Sequence, residues 1–300
     1  MICFDHVSKI YSSDVAALND ISFEIENDRR TVLYGPSGSG KTTILSIMAG
    51  LISPTSGKVV IDKSDKISFV FQEDRLFRHL NVFDNIAFGL DHSRYSREQI
   101  KDKVERIATL THTAEYLYQK ASTLSGGQKQ RAAIARALVS HPDILLMDEA
   151  FSHLDQGLKK TMILELIEWV EQLGITLVWV SHDFQEALLL AEHMIVIEHG
   201  KIVQQGTPYE ISLHPATYEI ASALSLLGMN EWNGTFVPVS ACSFHKKQGS
   251  VQVKGWQKKL CIPYKDGYLY TGIVDGKMFC VFSKEKAGDE ERVYIAGNKK

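Results

Sequence analysis

The chain has 300 residues, 44% of them hydrophobic and 23% charged, an ordinary balance for a folded protein of about two domains. Its net charge of −3 gives no reason to expect nucleic acid or an anionic membrane surface as a partner. No window reaches the ~18 uncharged apolar residues of a membrane span, and the N-terminus lacks the basic-then-apolar layout of a signal peptide. The expectation is a cytoplasmic protein that serves a membrane only by docking onto another subunit. Cys3, Cys242, Cys261 and Cys280 show neither paired nor metal-ligand spacing and read as free thiols.

In chain order, Ile21, Phe23 and Ile25 alternate with polar residues, the period of a half-buried strand. Thr31 to Tyr34 is a short apolar run, and a helical run from Lys41 to Met48 follows. Between them, Gly35-Pro36-Ser37-Gly38-Ser39-Gly40-Lys41-Thr42 fits GxxxxGK[ST]. Such a loop turns backbone N–H groups around phosphate oxygens at a helix N-terminus. Lys41 is placed to reach β- and γ-phosphates and Thr42 to ligate Mg²⁺, with Thr43 available to the α-phosphate.

The strand-like run Ile67 to Phe71 ends at Gln72. Residues 97 to 139 read as helical, with polar joints near Thr111 to Thr113 and Ser122 to Gly127. Leu124-Ser125-Gly126-Gly127-Gln128 opens the helix Lys129 to Val139, a second anion-binding helix end. Asp143 to Met147 and Ile175 to Val180 are continuous apolar runs, as in strands buried on both faces of a parallel sheet. The first ends in Asp148-Glu149, two adjacent acids that are costly unless they face a ligand cavity. The second leads into Ser181-His182-Asp183. Helical stretches from Lys159 to Leu173 and from Phe184 to Ala191 complete a βαβ order.

After about Gly228 the pattern changes to short strand-like pieces, at Ser250 to Val253, Leu260 to Ile262, Tyr268 to Tyr270, Met278 to Val281 and Val293 to Ile295. Gly255, Gly267, Gly276 and Gly288 punctuate them, which suggests a small barrel or sandwich. From Glu231 onward twelve Lys or Arg face seven Asp or Glu, a balance of +5, which leaves −8 for residues 1 to 230.

The phosphate loop, the loop at Leu124 to Gln128 and the run Ile144 to Glu149, in this order, resemble the nucleotide-binding subunit of an ABC transporter over residues 1–230. The resemblance implies an α/β P-loop ABC ATPase: a RecA-like parallel sheet with a helical subdomain at about 73–140, followed by a small all-β domain at 231–300 for regulation or dimerisation. It implies ATP and Mg²⁺, with Asp148 in the Mg²⁺ shell, Glu149 polarising the attacking water, and His182 as a switch histidine donating to the γ-phosphate while bonding to Glu149. Gln72 would touch Mg²⁺ or the water and report nucleotide state, and Tyr11 would stack on adenine. Ser125, Gly126, Gly127 and Gln128 would face the γ-phosphate held by a second copy, giving a head-to-tail dimer with two ATPs between the subunits. Ser152 to Asp155 matches the loop that couples the two sites, with His153 in place of the usual small residue and Ala150 where proline is common.

Residues 73 to 90 resemble the segment of bacterial importer ATPases on which a permease docks, with Leu76, Phe77, Leu80 and Val82 as the apolar contact. The appended β domain points to the same branch, the uptake ATPases for iron, sulfate, molybdate, polyamines and sugars. The expectation is solute import through separate membrane permease subunits, with an extracytoplasmic solute-binding protein, at the cytoplasmic face of the plasma membrane. Export or lipid traffic is the runner-up, and a soluble ABC ATPase outside transport is third. The sequence does not name the solute; ferric iron or another small ion is preferred.

Overall fold

The structure, a computed structural model, describes residues 1–11, 15–62, 64–224, 229–232, 235–239, 242–244, 250–254, 256–264, 267–275, 277–284 and 292–295. The chain forms two compact units, Met1–Glu210 and Ile211–Lys300.

The first unit runs β1 (Ile2–Ile10), β2 (Ala16–Ile25), β3 (Arg30–Tyr34), α1 (Lys41–Met48), β4 (Ser56–Val60), β5 (Ile67–Val70), α2 (Val82–Ala87), α3 (Arg97–Leu110), α4 (Gly126–Leu138), β6 (Ile144–Asp148), α5 (Gln156–Leu173), β7 (Thr176–Ser181), α6 (Phe184–Leu190), β8 (His193–Glu198) and β9 (Lys201–Gly206). Six strands form one sheet in the order β5-β6-β7-β3-β8-β9. The first five are parallel, and β9 returns antiparallel to β8. That reversal has a local cause. His199 and Gly200 form a two-residue turn with φ of 49° and 73°, the positive pair that matches the twist of a hairpin.

A separate antiparallel sheet, β2-β1-β4, packs its apolar face toward the main sheet. Ile21, Phe23 and Ile25 point into this core and Ser22 and Glu24 point out, so the two-residue period decides the buried face. Ile44, Leu45 and Met48 of α1 fill the space between the sheets, against Leu33, Leu146 and Val180.

The register of the main sheet positions the loops. Val180 of β7 stands level with both Leu33 of β3 and Asp148 of β6. The carboxyl ends of three buried strands therefore finish together, and the segments after Tyr34, Asp148 and Ser181 open on one end of the sheet, where ligands bind in such folds. Between β5 and β6, α3 starts with a reciprocal Ser96–Gln99 capping box and buries Ile100, Val104, Ile107 and Ala108, the i, i+4 stripe of an amphipathic helix.

In sequence, α7 (Pro208–Leu213) spans the division and α8 (Tyr218–Leu224) follows. The second unit then contains β10 (Met229–Trp232), β11 (Thr235–Pro238), β12 (Cys242–Ser243), β13 (Val251–Val253), β14 (Gln257–Tyr264), β15 (Gly267–Val274), β16 (Lys277–Ser283) and β17 (Val293–Ile295). They pair as a hairpin, β10-β11, and two three-stranded sheets, β12-β17-β13 and β14-β15-β16. Tyr270, Phe279, Val281 and Val293 form the centre of its core. The Asn230 side chain donates to the Cys280 carbonyl at 2.7 Å and accepts from the Cys280 amide at 2.6 Å. Gly228, Gly255, Gly276 and Gly288 lie outside the described residues. Cys3 and Cys280 are free thiols.

Candidate nucleotide site

A cavity of about 360 Å³ opens at the carboxyl end of the main sheet, lined by Ala17, Ser37, Gly38, Gly40, Lys41, Thr42, Thr43, Gln72, Asp148 and Glu149. The phosphate loop is held from behind. Gly200 donates its amide to the Ser39 carbonyl at 3.0 Å and accepts from the Asn19 amide at 2.8 Å, so the β8–β9 turn braces the loop. Gly40 adopts φ +107°, and a Cβ there would lie 2.6 Å from the Ala17 carbonyl oxygen, which leaves glycine as the only unstrained residue.

Lys41 is 4% exposed. Its Nζ donates to the carbonyls of Gly35 and Pro36 at 2.8 and 2.7 Å. Burial pushes its pKa down, while Glu149 and Asp148 pull it back up. Burial likewise raises the Asp148 pKa, and the hydrogen bond from Thr42 and the Lys41 charge oppose that shift. Thr42 Oγ1 donates to Asp148 Oδ1 at 3.2 Å. Low dielectric thus disfavours both charges of the site, and a bound cation and phosphate would relieve both.

Glu149 has a backbone φ of +43°, an unusual state for a non-glycine residue and one that concentrates at functional sites. Its Oε1 lies 3.0 Å from Nδ1 of His182. With an ionised carboxylate, Nδ1 must carry the proton. A single neutral ring therefore cannot bond Glu149 through this edge and also donate to a phosphate through Nε2; doing both requires the imidazolium.

Tyr11 lies at the rim, its hydroxyl 3.4 Å from Thr43 Oγ1 and its ring 5.4 Å from Lys9 Nζ. Gln72 Nε2 donates to Ser152 Oγ at 3.4 Å. The Ser125 to Gln128 loop is not part of this cavity. Gly126 lines a second one of about 370 Å³, with Gln72, Ala150, His153 and Leu154. Ser125 Oγ accepts from the Gln128 amide at 3.4 Å, and Gln128 Oε1 accepts from the Ser125 amide at 3.0 Å. One chain therefore carries two glycine-rich helix ends that open on different cavities.

Against known proteins, the family model described as ABC transporter matches residues 18–152. The spermidine/putrescine import ATP-binding protein PotA of Protochlamydia amoebophila (strain UWE25) is 39% identical over 280 residues, covering 90% of this chain and 73% of that protein. The chain belongs to the ABC transporter family. It is an importer-type ABC ATPase. Among solved structures, cbiO1 from Clostridium perfringens, described as part of the ABC transporter complex cbiONQ, has a TM-score of 0.67 at 26% identity, over 72% of this chain and 92% of that one. The ATP-binding cassette MJ0796, in a dimeric post-hydrolysis state with ADP and Pi, has a TM-score of 0.62 at 30% identity, over 69% of this chain and 99% of that one.

In this ABC ATPase the helical segment after Gln72 departs from one expectation. Leu76 and Val82 are buried, at 8% and 0% exposure, Val82 on the α2 helix that packs against α4. They are unavailable to a partner. Phe88, 62% exposed, stands outside instead, with Phe77 against its ring at 4.6 Å. Ala17 and Lys9 were missed as site neighbours. Ala17 has no chemical mark, but Lys9 sits two residues before Tyr11, where β-strand periodicity puts both on one face.

Proposed function

We propose that this ABC ATPase works as a head-to-tail dimer that hydrolyses ATP to drive solute import through separate permease subunits at the cytoplasmic face of the membrane. The observation that carries this reading is the pair of glycine-rich helix ends on different cavities. One cradle suffices for one nucleotide, so the Ser125 to Gln128 loop is free to meet the ATP of a second copy.

Lys41 would leave its carbonyl partners for the β- and γ-phosphates, while the loop amides hold the rest of the triphosphate. Thr42, Asp148 and Gln72 offer the oxygen donors for Mg²⁺. When bound, Mg²⁺ supplies charge neutralisation at the β- and γ-oxygens. Glu149 orients the attacking water. His182 holds that carboxylate through Nδ1 and would meet the γ-phosphate through its other ring edge. Tyr11 stacks on adenine.

No helix among the described residues is long and apolar enough to cross a membrane; the exposed Phe88, with Phe77 against its ring, is the apolar surface offered to a permease. An extracytoplasmic binding protein would deliver the solute. The relative's name puts polyamines ahead of ferric iron as solutes to test. The decisive experiment is Glu149→Gln with ATP and Mg²⁺: light scattering should record a stable dimer that dissociates when nucleotide is removed. A monomer under those conditions would reject the arrangement.

A further inference from the structure

One charged network outside the cavity reaches the catalytic histidine. Lys159, in the first turn of α5, places Nζ 2.6 Å from Glu186 Oε1 and 3.9 Å from Asp183 Oδ2. The other oxygen of Glu186 accepts from Ser181 Oγ at 2.6 Å, and Ser181 Oγ accepts from the Asp183 amide at 2.9 Å. Ser181 and Glu186 are buried, at 1% and 8% exposure, and the Lys159 side chain is 18% exposed. His182 lies between Ser181 and Asp183, so both of its chain neighbours are tied into this network.

The opposite end of the network is also anchored. The Asp155 side chain caps α5 by accepting from the Leu158 amide at 3.0 Å. Leu158 packs on the Leu124 to Gln128 loop, the signature loop, so closely that a Cβ on Gly127 would lie 2.7 Å from its Cδ2. Adjacent residues of one helical turn thus touch the signature loop and the histidine loop.

We infer that Lys159 is a positioning residue for hydrolysis: through Glu186 and Ser181 it fixes His182 relative to α5, and hence relative to the signature loop that Leu158 contacts. The inference rests on the roles proposed above for Glu149 and His182. Without Lys159, Glu186 is a nearly buried carboxylate with no counter-charge there, and it must move toward water. Ser181 Oγ then loses its short bond to Glu186 and keeps only the longer one to the Asp183 carbonyl, 3.3 Å away, a contact inside the histidine loop that no longer ties it to α5. Displacements of about 1 Å at a catalytic group reduce turnover strongly, whereas the phosphate loop that binds ATP is untouched.

The test compares steady-state ATPase activity, ATP affinity and melting temperature of the full chain for Lys159→Met, Lys159→Arg, Glu186→Gln and the double variant Lys159→Met/Glu186→Gln. Lys159→Met should lower kcat about ten-fold and leave the KM for ATP within about two-fold. Lys159→Arg should restore most of the rate, and the double variant should be no slower than the slower single one. Unchanged kcat in Lys159→Met, parallel loss of ATP binding, or failure of arginine to rescue would each overturn the inference. If Lys159→Met does not fold, Glu186→Gln and Lys159→Arg decide it by the same criteria. His182→Ala, measured alongside, separates the two levels. If it is inactive while Lys159→Met matches the parent, only the role of Lys159 falls. If it hydrolyses ATP like the parent, the role of His182 falls and takes the strut with it.

Discussion

Thr42 on α1 and Asp148 at the end of β6 share a hydrogen bond of 3.2 Å across the nucleotide cavity, although 106 residues separate them in the chain. Burial holds the Asp148 carboxyl above its ordinary value of 3.8. Below that raised pKa the group is neutral and a poor cation ligand, so Mg²⁺ affinity in the presence of ATP should weaken as pH falls, beginning above 3.8. In the free protein the sign is reversed, because the native state keeps this proton at a pH where the unfolded chain has released it. Mg²⁺ titrations of ATPase activity at several pH values should show the trend. Asp148→Asn should lower kcat by roughly 10²-fold or more and remove the dependence; a parent-like pH response in that variant would exclude Asp148 as its source.

Gly40 tests the geometry of the phosphate loop. An alanine there must adopt φ +107° and meet both the Ala17 carbonyl oxygen and Leu18 Cδ2, the latter at 2.8 Å. Backbone strain of this kind amounts to about 1–3 kcal/mol, enough to lower the melting temperature by roughly 4–8 °C. ATP binding should weaken in the same variant, because the helix N-terminus that faces the phosphates shifts with it. Wild-type melting and nucleotide affinity together would disprove the steric reading.

Acid sensitivity should come from two histidines, half-buried His193 and the more exposed His141. Burial lowers the pKa of His193, and burial together with Lys103, Arg106 and Lys66 lowers that of His141. Each takes up its proton more readily when unfolded. The stability they contribute is present above pH 6.5 and is lost as pH falls through their native pKa values. His6 has the opposite shift through its bond to Asp20, but that pair is solvent-exposed and weak. Denaturant midpoints between pH 7.5 and 5.5 should therefore decline, and His193→Gln should flatten the decline. An unaltered slope would assign the effect elsewhere.

Phe88 offers a test of docking without touching the chemistry. Its ring is exposed and leans on Phe77, and aromatic anchors commonly account for about 2 kcal/mol or more at protein interfaces. Phe88→Glu should hydrolyse ATP like the parent when isolated, yet fail to co-purify with its permease. Retained co-purification would move the docking surface away from this aromatic pair.

The phosphate loop and the segments after β6 and β7 were legible in the sequence because each follows an apolar run buried on both faces, and buried runs announce themselves; the Leu124 to Gln128 loop was legible by its glycines alone. The β8–β9 hairpin was not. The helical reading stops at Ala191, one residue beyond the end of α6 at Leu190, but the strands that follow, β8 from His193 and β9 from Lys201, had no reading of their own. Val82 looked like a surface contact because nothing local reveals that α2 packs on α4, and the burial of Leu76 just before α2 has no local mark either. Lys159 and Glu186 are 27 positions apart in ordinary charged surroundings, and only the fold makes them a pair. The β10–β11 hairpin is too short for a clear alternation.

Leu33, Val180 and Asp148 stand level in three adjacent strands, and this alignment extends the enzyme's vulnerable surface well beyond its ligands. A slip of one residue in β6 would move the acids about 3.3 Å and turn Asp148 to the other face of the sheet. Leu145, Leu146 and Met147 touch no substrate, but they act as the gauge that sets where the chemistry happens. Substitutions that loosen the fit of these three can silence the ATPase while every residue of its motifs remains in place.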